Sequence, residues 1–502
     1  MPLKAEAISP DKVVVLYNTA APDSKKLAEF YRDARAIPNG NLIGLEMPVT
    51  ADISRSDYET KILKPLRSEF ESRGWWSRQK DTMGILLPTS NDMKVLVTMR
   101  GVPLRIQAAP VPEGKKIAPN DMLGGRNEAS VDWELAMFGV ETLPAEGVLK
   151  NVFYESKQSI SQARLPFLML TARIDAASTA TCERMITDAL AAEKNGLWGR
   201  AYVDIANKFP QGDQWLGEIV KENLATGIPT VVDRFNDTLP MNYPMTDAAE
   251  YYGWYDWHLS GPFLNPAFKF RQGAVAMHLH SFSAEQLTNP AANWSAGLLE
   301  KGAAVTVGNV YEPYLHLSHN FGIIHNRLLA GHTWVEACWM AIPVSSWQAV
   351  VLGDPLYRPF LRLDGSGDIL PQDKEYRAIR AAKMQWPADD KERLKQLSAA
   401  AERMESGVLA EAVGLESLEG ERREEAAIWF RNAQKHYKSP QDKLRQDYNL
   451  ISLERAADRK EVAIRMLRDA VSHYAEIPES QGLKGWIDIL DPPAPPPANP
   501  NK

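Results

Sequence analysis

The sequence has few cysteines, no long apolar run and no excess of basic residues. Its two cysteines, Cys182 and Cys338, are too few for a disulfide framework, and their small or apolar neighbours are typical of buried thiols. No stretch of about 18 consecutive apolar residues occurs, so no segment predicts a transmembrane helix. The net charge of -7 argues against a nucleic-acid partner, because phosphate binding requires a basic surface.

The remaining composition is that of a globular protein. Hydrophobic residues make up 44% of the chain and charged residues 24%, which is enough apolar material for a sizeable core. A length of 502 residues predicts roughly two to four domains. The first seven residues lack the apolar segment of a signal peptide. We therefore expect a cytoplasmic chain, or a secreted one from which a signal peptide has been removed.

The first half of the chain alternates short β-branched runs with segments of helical spacing. Residues 12–17 and 42–46 predict strands, and 24–36 predict a helix with Leu27, Phe30 and Tyr31 on one face. The alternation continues, with strands predicted at 83–87, 94–98, 165–173, 199–204 and 229–233 and helices at 56–73, 179–195 and 214–226. This pattern favours a mainly parallel sheet with helices on both faces.

Parallel sheets of this kind bind ligands at the carboxyl ends of their strands. The sequence places five polar residues at such ends, although each taken singly is typical of a cap or a loop: Asn18, Arg100, Asp175, Asp204 and Asp233. Residues 108–127 predict a long loop, and long loops in compact domains are often functional. Asp354, which precedes a proline, is typical of a turn.

The C-terminal part differs in character. Residues 363–374 predict a linker, and 375–490 are charged and helical without strand patterns. Two of its helices end alike at Tyr437 and Tyr474, which are 37 residues apart (474 − 437). That offset is near the period of tetratricopeptide-type helical hairpins. So short a stack is expected to lean on the α/β domain or on a protein partner, and 491–502 predict an extended Pro-rich tail.

Histidine is concentrated in one segment. Seven of the nine histidines fall between residues 258 and 332, at positions 258, 278, 280, 316, 319, 325 and 332. Residues 273–280 predict a buried strand, whose period of two places His278 and His280 on the same face at its carboxyl end. Clustering of the side chain that titrates near neutral pH favours a functional site, and Ser281 follows directly.

Aromatic and polar residues flank this strand. Residues 251–258 hold a dense aromatic group with Tyr255, Asp256 and His258, which is typical of a core but also of carbohydrate and peptide clefts. Residues 302–308 predict a strand that would bring three polar residues to the same edge as His280, namely Asn309, Tyr311 and Glu312.

Four interpretations of the histidine segment compete. His278 and His280 could bind a metal with one of Asp256, His258 or Glu312, although no third ligand has a recognisable spacing. Ser281 or Ser283 could be a nucleophile activated by a histidine, although no Gly-X-Ser-X-Gly turn surrounds either. The aromatic and polar side chains could bind a ligand without bond chemistry. Finally, the histidines could satisfy one another and the backbone inside a packed core.

Seven short blocks occur in a fixed order along residues 35–357. Their order resembles an uncharacterised bacterial family that is often found in genomes with envelope protein-sorting systems. This resemblance implies a periplasmic or secreted location and carries no established activity. The blocks are Arg35-Ala-Ile-Pro38, Arg100-Gly-Val-Pro-Leu-Arg105, Ser130-Val-Asp132, Tyr251-Tyr-Gly-Trp-Tyr255, His280-Ser-Phe-Ser-Ala284, Gly308-Asn-Val-Tyr-Glu-Pro-Tyr314 and Gly353-Asp-Pro-Leu-Tyr357.

The end of the α/β region also resembles gingipain-type cysteine peptidases of the caspase-like fold. In those enzymes a histidine follows the glycine of one strand, and a cysteine ends the next. Here Trp254 stands at the histidine position, and the next strand runs into Met277-His-Leu-His-Ser281 without a cysteine. The resemblance therefore implies a caspase-like sheet that has lost the Cys-His dyad.

We therefore predict a three-layer, caspase-like α/β domain at 1–362, a linker at 363–374, an all-α tetratricopeptide-like module at 375–490 and a tail at 491–502. The leading functional hypothesis is a non-classical or degenerate hydrolase derived from peptidases. The alternatives are a peptide- or glycan-binding scaffold acting through the helical module, and a metal-dependent hydrolase. The sequence assigns neither a cofactor nor a resident metal.

The candidate site residues follow from this hypothesis. His280 would be a base or ligand, Ser281 the nucleophile, and Glu312 or Asp256 the orienting carboxylate, with His258 as a further catalytic candidate. The predicted binding residues are Tyr255, His278, Asn309 and Tyr311.

Overall fold

The computed structural model describes residues 5–110 and 121–493. Its strands are β1 Val13–Asn18, β2 Leu42–Leu45, β3 Asp52–Ile53, β4 Trp76–Lys80, β5 Leu86–Asn91, β6 Val95–Met99, β7 Arg105–Ile106, β8 Ala129–Ser130, β9 Leu149–Lys150, β10 Leu170–Ile174, β11 Arg200–Asp204, β12 Thr230–Asp233, β13 Ala248–Gly253, β14 Val275–His278, β15 Thr306–Asn309, β16 Val344–Ser346 and β17 Ala349–Leu352.

Helices occupy both the α/β region and the whole C-terminal part. They are α1 Ser24–Arg35, α2 Arg55–Asp57, α3 Lys64–Ser72, α4 Val131–Leu135, α5 Thr179–Asn195, α6 Pro210–Thr226, α7 Trp294–Glu300, α8 Phe321–Leu329, α9 Trp334–Met340, α10 Lys374–Gln385, α11 Asp390–Met404, α12 Gly407–Glu419, α13 Arg423–His436, α14 Pro440–Ala456, α15 Lys460–His473 and α16 Gln481–Leu490. A π-helical segment, Tyr58–Leu63, joins α2 to α3. No described helix has the length and apolarity needed to cross a membrane.

Two sheets carry the α/β region. One has six strands in the order β15-β17-β10-β6-β1-β2, and the other has four in the order β12-β11-β13-β14. All neighbours within them are parallel except β15 and β17, which are antiparallel. A parallel bridge between Val275 and Val305 joins the two sheets beside β14 and β15.

The antiparallel β15–β17 junction divides the strand ends between two edges. Asn18, Arg100 and Asp175 lie at the carboxyl ends of strands on one edge, whereas Asp204 and Asp233 lie on the opposite edge. The mainly parallel sheet is confirmed, but the polar strand-end residues do not meet in one place.

Alternating side chains of β1 enter two different cores. Val13 and Val15 pack in the cluster that contains Leu27 of α1, whereas Val14 and Leu16 pack in the cluster that contains Leu66 of α3. This period of two places one helix layer on each face of the six-stranded sheet.

Two predicted strands differ from the observed ones. The sequence predicts a strand at 83–87, but Met83 and Gly84 lie in the turn of a β4–β5 hairpin, and Met83 is 80% exposed. The strand predicted at 165–173 begins only at Leu170. Part of the predicted loop at 108–127, residues 111–120, lies outside the described residues.

Buried ion pairs occupy several of the sequence blocks. Arg173 donates to the carboxylate of Asp132 and to the carbonyls of Val102 and Pro103, so it ties β10 to the turn after β6. Asp354 is fully buried and accepts a hydrogen bond from Tyr31 (2.8 Å), besides forming an ion pair with Arg35. Asp354 is therefore a structural anchor, and the simple turn interpretation understates its role.

The C-terminal helices pack against the four-stranded sheet. Glu411 of α12 accepts two hydrogen bonds from Arg445 of α14 (both 2.7 Å) and lies 3.0 Å from Arg200 of β11. All three side chains are buried. Helices α13 and α15 begin 37 residues apart (460 − 423), which matches the offset seen in the sequence.

Candidate functional site

A cavity of about 180 Å³ lies at the carboxyl edge of the four-stranded sheet, where β13, β14 and β15 end side by side. Its walls come from the loops that follow these strands and from the start of α6. The lining residues are Phe209, Trp254, Tyr255, Leu279, His280, Ser281, Glu312, Pro313, Tyr314, Leu315 and Ser318.

His280 is the buried polar group of this cavity. Its Nδ1 contacts the carbonyl oxygen of Ser281, and because a carbonyl only accepts, Nδ1 must carry the proton. Burial lowers the pKa of His280, so the ring is neutral near pH 7. Nε2 is then an acceptor, and it is buried without a hydrogen-bond partner among the described residues. A buried lone pair of this kind needs a donor from a ligand or solvent.

Aromatic rings surround the imidazole. Tyr255 and Trp257 lie 5.0 Å and 4.7 Å from the His280 ring, centroid to centroid. The ring centroid of Phe209 lies 5.9 Å from that of Trp254 and 6.1 Å from that of Tyr255. Trp254 is held from behind, since its indole N–H donates to Asp213 (2.9 Å). The cavity thus has one fixed aromatic wall and a more exposed aromatic rim.

Glu312 and Ser281 supply the other polar groups. One carboxylate oxygen of Glu312 accepts from the backbone N–H of Tyr314 (3.2 Å), and its charge favours the protonated form of His280. The Ser281 side chain is half-buried and makes no hydrogen bond within the described chain. Ser281 and His280 therefore line one cavity without forming a nucleophile–base pair.

Asn309 and Tyr311 hold the loop that carries His280. The Asn309 amide donates to the carbonyl of His280 (3.2 Å), and its backbone N–H donates to the Ser283 hydroxyl (3.1 Å). The carbonyl of Tyr311 accepts from the N–H of Phe282 (2.9 Å). Asn309 and Tyr311, which the sequence predicts to be binding residues, do not line the cavity and instead position the loop that forms its wall.

A second brace reaches this loop from β7, which belongs to a small three-stranded sheet of the order β3-β7-β8. Arg105 of β7 donates to both oxygens of Asp52 (2.7 and 2.8 Å) and to the carbonyl of Glu285 (2.7 Å). The Tyr311 hydroxyl donates to the carbonyl of Ile106 (3.3 Å). The loop after β14 is thus fixed by contacts from the end of β15 and from this small sheet.

His278 does not share a face with His280. Strand β14 ends at His278, whose ring stacks on Trp294 at 3.4 Å and contacts the Tyr251 hydroxyl (3.1 Å). Its Nε2 accepts from the N–H of Asp256 (3.2 Å), and burial lowers its pKa far below the usual range. His278 therefore orders the 253–257 turn and is absent from the cavity lining.

Asp256 and His258 also lie outside the lining. The Asp256 carboxylate accepts from the N–H of Trp257 (2.8 Å), while His258 is exposed and donates to the carbonyl of Ala292 (3.1 Å). Both act on His280 only through electrostatic interaction. Of the predicted site residues, the structure brings together Tyr255, His280, Ser281 and Glu312.

The remaining histidines of the cluster have different neighbours, and His316 stacks on the lining residue Tyr314 with 6.3 Å between the ring centroids. His319 packs against Trp133, His325 against Tyr252, and His332 lies near Glu336. Within the described residues, no group of three or more His, Cys, Asp or Glu side chains is arranged to hold a metal ion. The alternative of a metal-dependent hydrolase therefore finds no support in the described geometry.

Phe209, Tyr314 and Leu315 are lining residues that the sequence reasoning missed. Phe209 carried a usable signal, because it occupies the N-cap position of α6, where small polar residues are strongly preferred. Tyr314 closes one of the seven blocks, but its approach to the cavity depends on the turn after Glu312. That turn has no local sequence pattern of its own.

Comparisons with known proteins give little information. No family model matches the chain, and no curated protein matches it. A solved structure described as "Structure of Protease" aligns with a TM-score of 0.36 at 12% identity, covering 70% of this chain and 79% of that chain. At so low a TM-score we infer neither fold nor activity from the match.

Proposed function

We propose that the α/β region is a peptidase-derived domain that has kept its cleft as a ligand-recognition site and has lost covalent catalysis. The observation that carries this proposal is the unpartnered Nε2 of His280, a buried acceptor in an aromatic-walled cavity. A ligand that donates a hydrogen bond there would satisfy it.

The groups needed for covalent catalysis are not assembled. A nucleophile requires a hydrogen bond to its base, and Ser281 has none to His280. Burial raises the pKa of both Cys182 and Cys338, so neither thiol forms a reactive thiolate near neutral pH. These features of the described chain favour recognition over covalent catalysis.

The location of the two positions that correspond to the peptidase dyad supports a peptidase origin. The gingipain-type resemblance assigns the dyad to the residue after the β13 glycine and to the end of the next strand. In this chain those positions are Trp254 and the segment from Met277 to Ser281, of which Trp254 and the last three residues of the segment line the cavity. We propose on this ground a caspase-like architecture in which Trp254 and His280 replace the dyad.

Activity-based probes test the loss of catalysis. We expect no labelling of the purified protein by fluorophosphonate or by thiol-directed acyloxymethyl ketone probes, in wild type and in Ser281→Ala alike. A purified gingipain-type peptidase provides the positive control for the thiol probe. Labelling of wild type that disappears in Ser281→Ala would contradict the proposal and restore the hydrolase hypothesis.

A second proposal concerns the helical region, which we propose to be a tetratricopeptide-like, partner-binding module. An open groove of about 660 Å³ lies between α13, α14 and α15. Three of its lining cations, Arg431, Lys435 and Lys443, form no ion pair within the described chain. The groove thus supports docking of a protein segment.

Point variants test this better than a deletion. Removal of residues 375–490 would leave Arg200 without Glu411, so misfolding would confuse the result. We expect Arg431→Glu with Lys435→Glu to abolish recovery of a partner from a lysate of the source cells. Retained recovery would exclude the groove, and Lys460→Glu with Lys484→Glu, two lysines outside the groove lining, serves as the control.

We propose units at 1–362 and 375–490 joined by 363–374, and a periplasmic or secreted location. Limited proteolysis that cuts first within 363–374 would support the limits. Cell fractionation with compartment markers would test the location.

A further inference from the structure

We propose that the cavity at His280 binds one ring of a neutral oligosaccharide, with Tyr255, Trp257 and Phe209 as the stacking surface around it. This proposal rests on the proposed recognition function and names its ligand class.

The free polar atoms of the cavity are mostly acceptors. Nε2 of His280 accepts, and the second carboxylate oxygen of Glu312 has no partner within the described chain. The hydroxyls of Ser281 and Tyr255 make no hydrogen bond within the described chain, and each can donate or accept. A complementary ligand must therefore bring several donors, and it must also be able to accept a hydrogen bond from either hydroxyl.

Anionic ligands do not fit this lining. Among the described lining residues there is no lysine or arginine, and Glu312 is a carboxylate. Arg105 is committed to Asp52 and to the carbonyl of Glu285. Phosphates, carboxylates and acidic sugars would meet repulsion without a compensating cation.

A cationic side chain fits less well than a sugar. Seven of the eleven lining residues are aromatic, aliphatic or proline, and one oxygen of Glu312 is already bonded to the Tyr314 N–H. A guanidinium has five donors and would leave several unsatisfied in such a cavity. Sugar hydroxyls both donate and accept, so they can match His280, Glu312 and Ser281 without bringing a second charged group into the cavity.

The exposed aromatic residues supply the second, independent observation. Phe209, Tyr255 and Trp257 are 52%, 40% and 55% exposed. Within the described chain, the other exposed large hydrophobic residues are all aliphatic or methionine. All three contact the cavity rim or the His280 ring. Aromatic faces left open beside hydrogen-bonding groups are suited to the C–H faces of sugar rings.

The full-length protein and a panel of probes test the proposal. Chitohexaose, maltohexaose, cellohexaose and xylohexaose would be titrated separately, with a Lys- and Arg-containing peptide as the cationic probe. Binding would be followed by calorimetry and by the ¹⁵N resonances of His280. We expect at least one neutral oligosaccharide to bind and to shift the Nε2 resonance of His280.

Two variants locate the binding. Trp257→Ala removes an exposed stacking surface and His280→Phe removes the acceptor, and each is expected to weaken binding by about tenfold. Because Trp257 is exposed, its replacement leaves the core intact and remains informative even if His280→Phe misfolds. Ile428→Ala, an exposed apolar residue of α13, is the matched control and should bind as wild type does.

The outcomes separate this proposal from the one on which it rests. Failure of every neutral probe, with binding of the cationic peptide at His280, would overturn the sugar assignment and leave the recognition function standing. Failure of all probes would also overturn the assignment. Cleavage of a bound oligosaccharide that depends on His280 would instead overturn the loss of catalysis and leave the ligand class standing.

Discussion

Two buried ionisable residues, one in β13 and one in α8, are held in their neutral forms, unlike the members of the buried ion pairs. Burial raises the pKa of Glu250 to about 8 and lowers that of His325 to about 3. Tyr252 joins them, with its hydroxyl 3.0 Å from Glu250 and 3.1 Å from His325 Nδ1. The close approach of Glu250 and His325 is therefore a contact of neutral groups between pH 4 and pH 8 and contributes no ion pair.

Glu250 should make stability fall as the pH rises. Its folded pKa lies above the unfolded value of 4.5, so its contribution is complete below about pH 4.5 and is lost as the pH rises through about 8. We expect Glu250→Gln to be more stable than wild type by a few kcal/mol near pH 9, with little difference near pH 4, in urea unfolding. The exposed Glu59→Gln variant should keep the wild-type slope, and an unchanged slope in Glu250→Gln would contradict the assignment.

Part of the site could be predicted residue by residue, and part could not. Tyr255, His280, Ser281 and Glu312 follow strands whose apolar runs are evident, so their shared edge follows from sequence. The predicted shared face of His278 and His280 is not observed, because β14 ends at His278 and the His278 ring stacks on Trp294. Stacking between residues 16 positions apart (294 − 278) has no local signature.

At the scale of elements, the loop after β14 depends on a short strand far away in sequence. Arg105 of β7 fixes the carbonyl of Glu285, and 180 residues separate the two. The block Arg100–Arg105 therefore contributes to the site through Arg105, which fixes the site loop, although no residue of the block lines the cavity.

Replacement of Arg105 should loosen the site loop. We expect Arg105→Ala to lower the free energy of unfolding by about 1–3 kcal/mol, because it leaves the Glu285 carbonyl and Asp52 without their donor. Hydrogen exchange at the Phe282 and Glu285 amides should accelerate. Arg468→Ala, which removes an exposed ion pair with Asp491, is the control. Unchanged exchange in Arg105→Ala would show that the brace is dispensable.

Secondary structure was predictable where one face of an element is apolar. Helix α5 runs from Thr179 to Asn195 and stops at Gly196, as its spacing predicts. Strand β4 was missed because Ser77, Arg78 and Gln79 are polar and its pairing with β5 is an exposed hairpin. The antiparallel direction of β17 relative to β15 could not be predicted from the sequence either, because it depends on the path of the chain that connects the two strands.

At the scale of the molecule, the helical region is tied to the α/β region by charge as well as by apolar packing. Arg200 and Arg445 are both buried and share Glu411. The two cations and Arg445's hydrogen bond lower the pKa of Glu411 despite its burial, so it stays ionised. The helical segment is thus packed onto β11 and is not a freely hinged unit.

Removal of the Glu411 charge should destabilise the whole protein. We expect Glu411→Gln to cost about 3–5 kcal/mol of unfolding free energy, because the two buried guanidinium groups would lose the buried counterion that they share and keep only the less buried carboxylates of Asp247 and Asp442. Glu419→Gln, which breaks the more exposed pair with Arg234, should cost under about 1 kcal/mol. Equal effects of the two variants in denaturant unfolding would refute the argument.

The cavity lies across the seam between the two sheets, which the bridge between Val275 and Val305 joins. Tyr255 and His280 belong to one side of this seam, and Glu312 belongs to the other. A ligand held between them would act as a clamp across the seam and would slow its local opening. The amides of Ala276 and Ala304, which bond across it, should then exchange more slowly with solvent deuterium when the cavity is filled, so that these two backbone positions report occupancy from a distance.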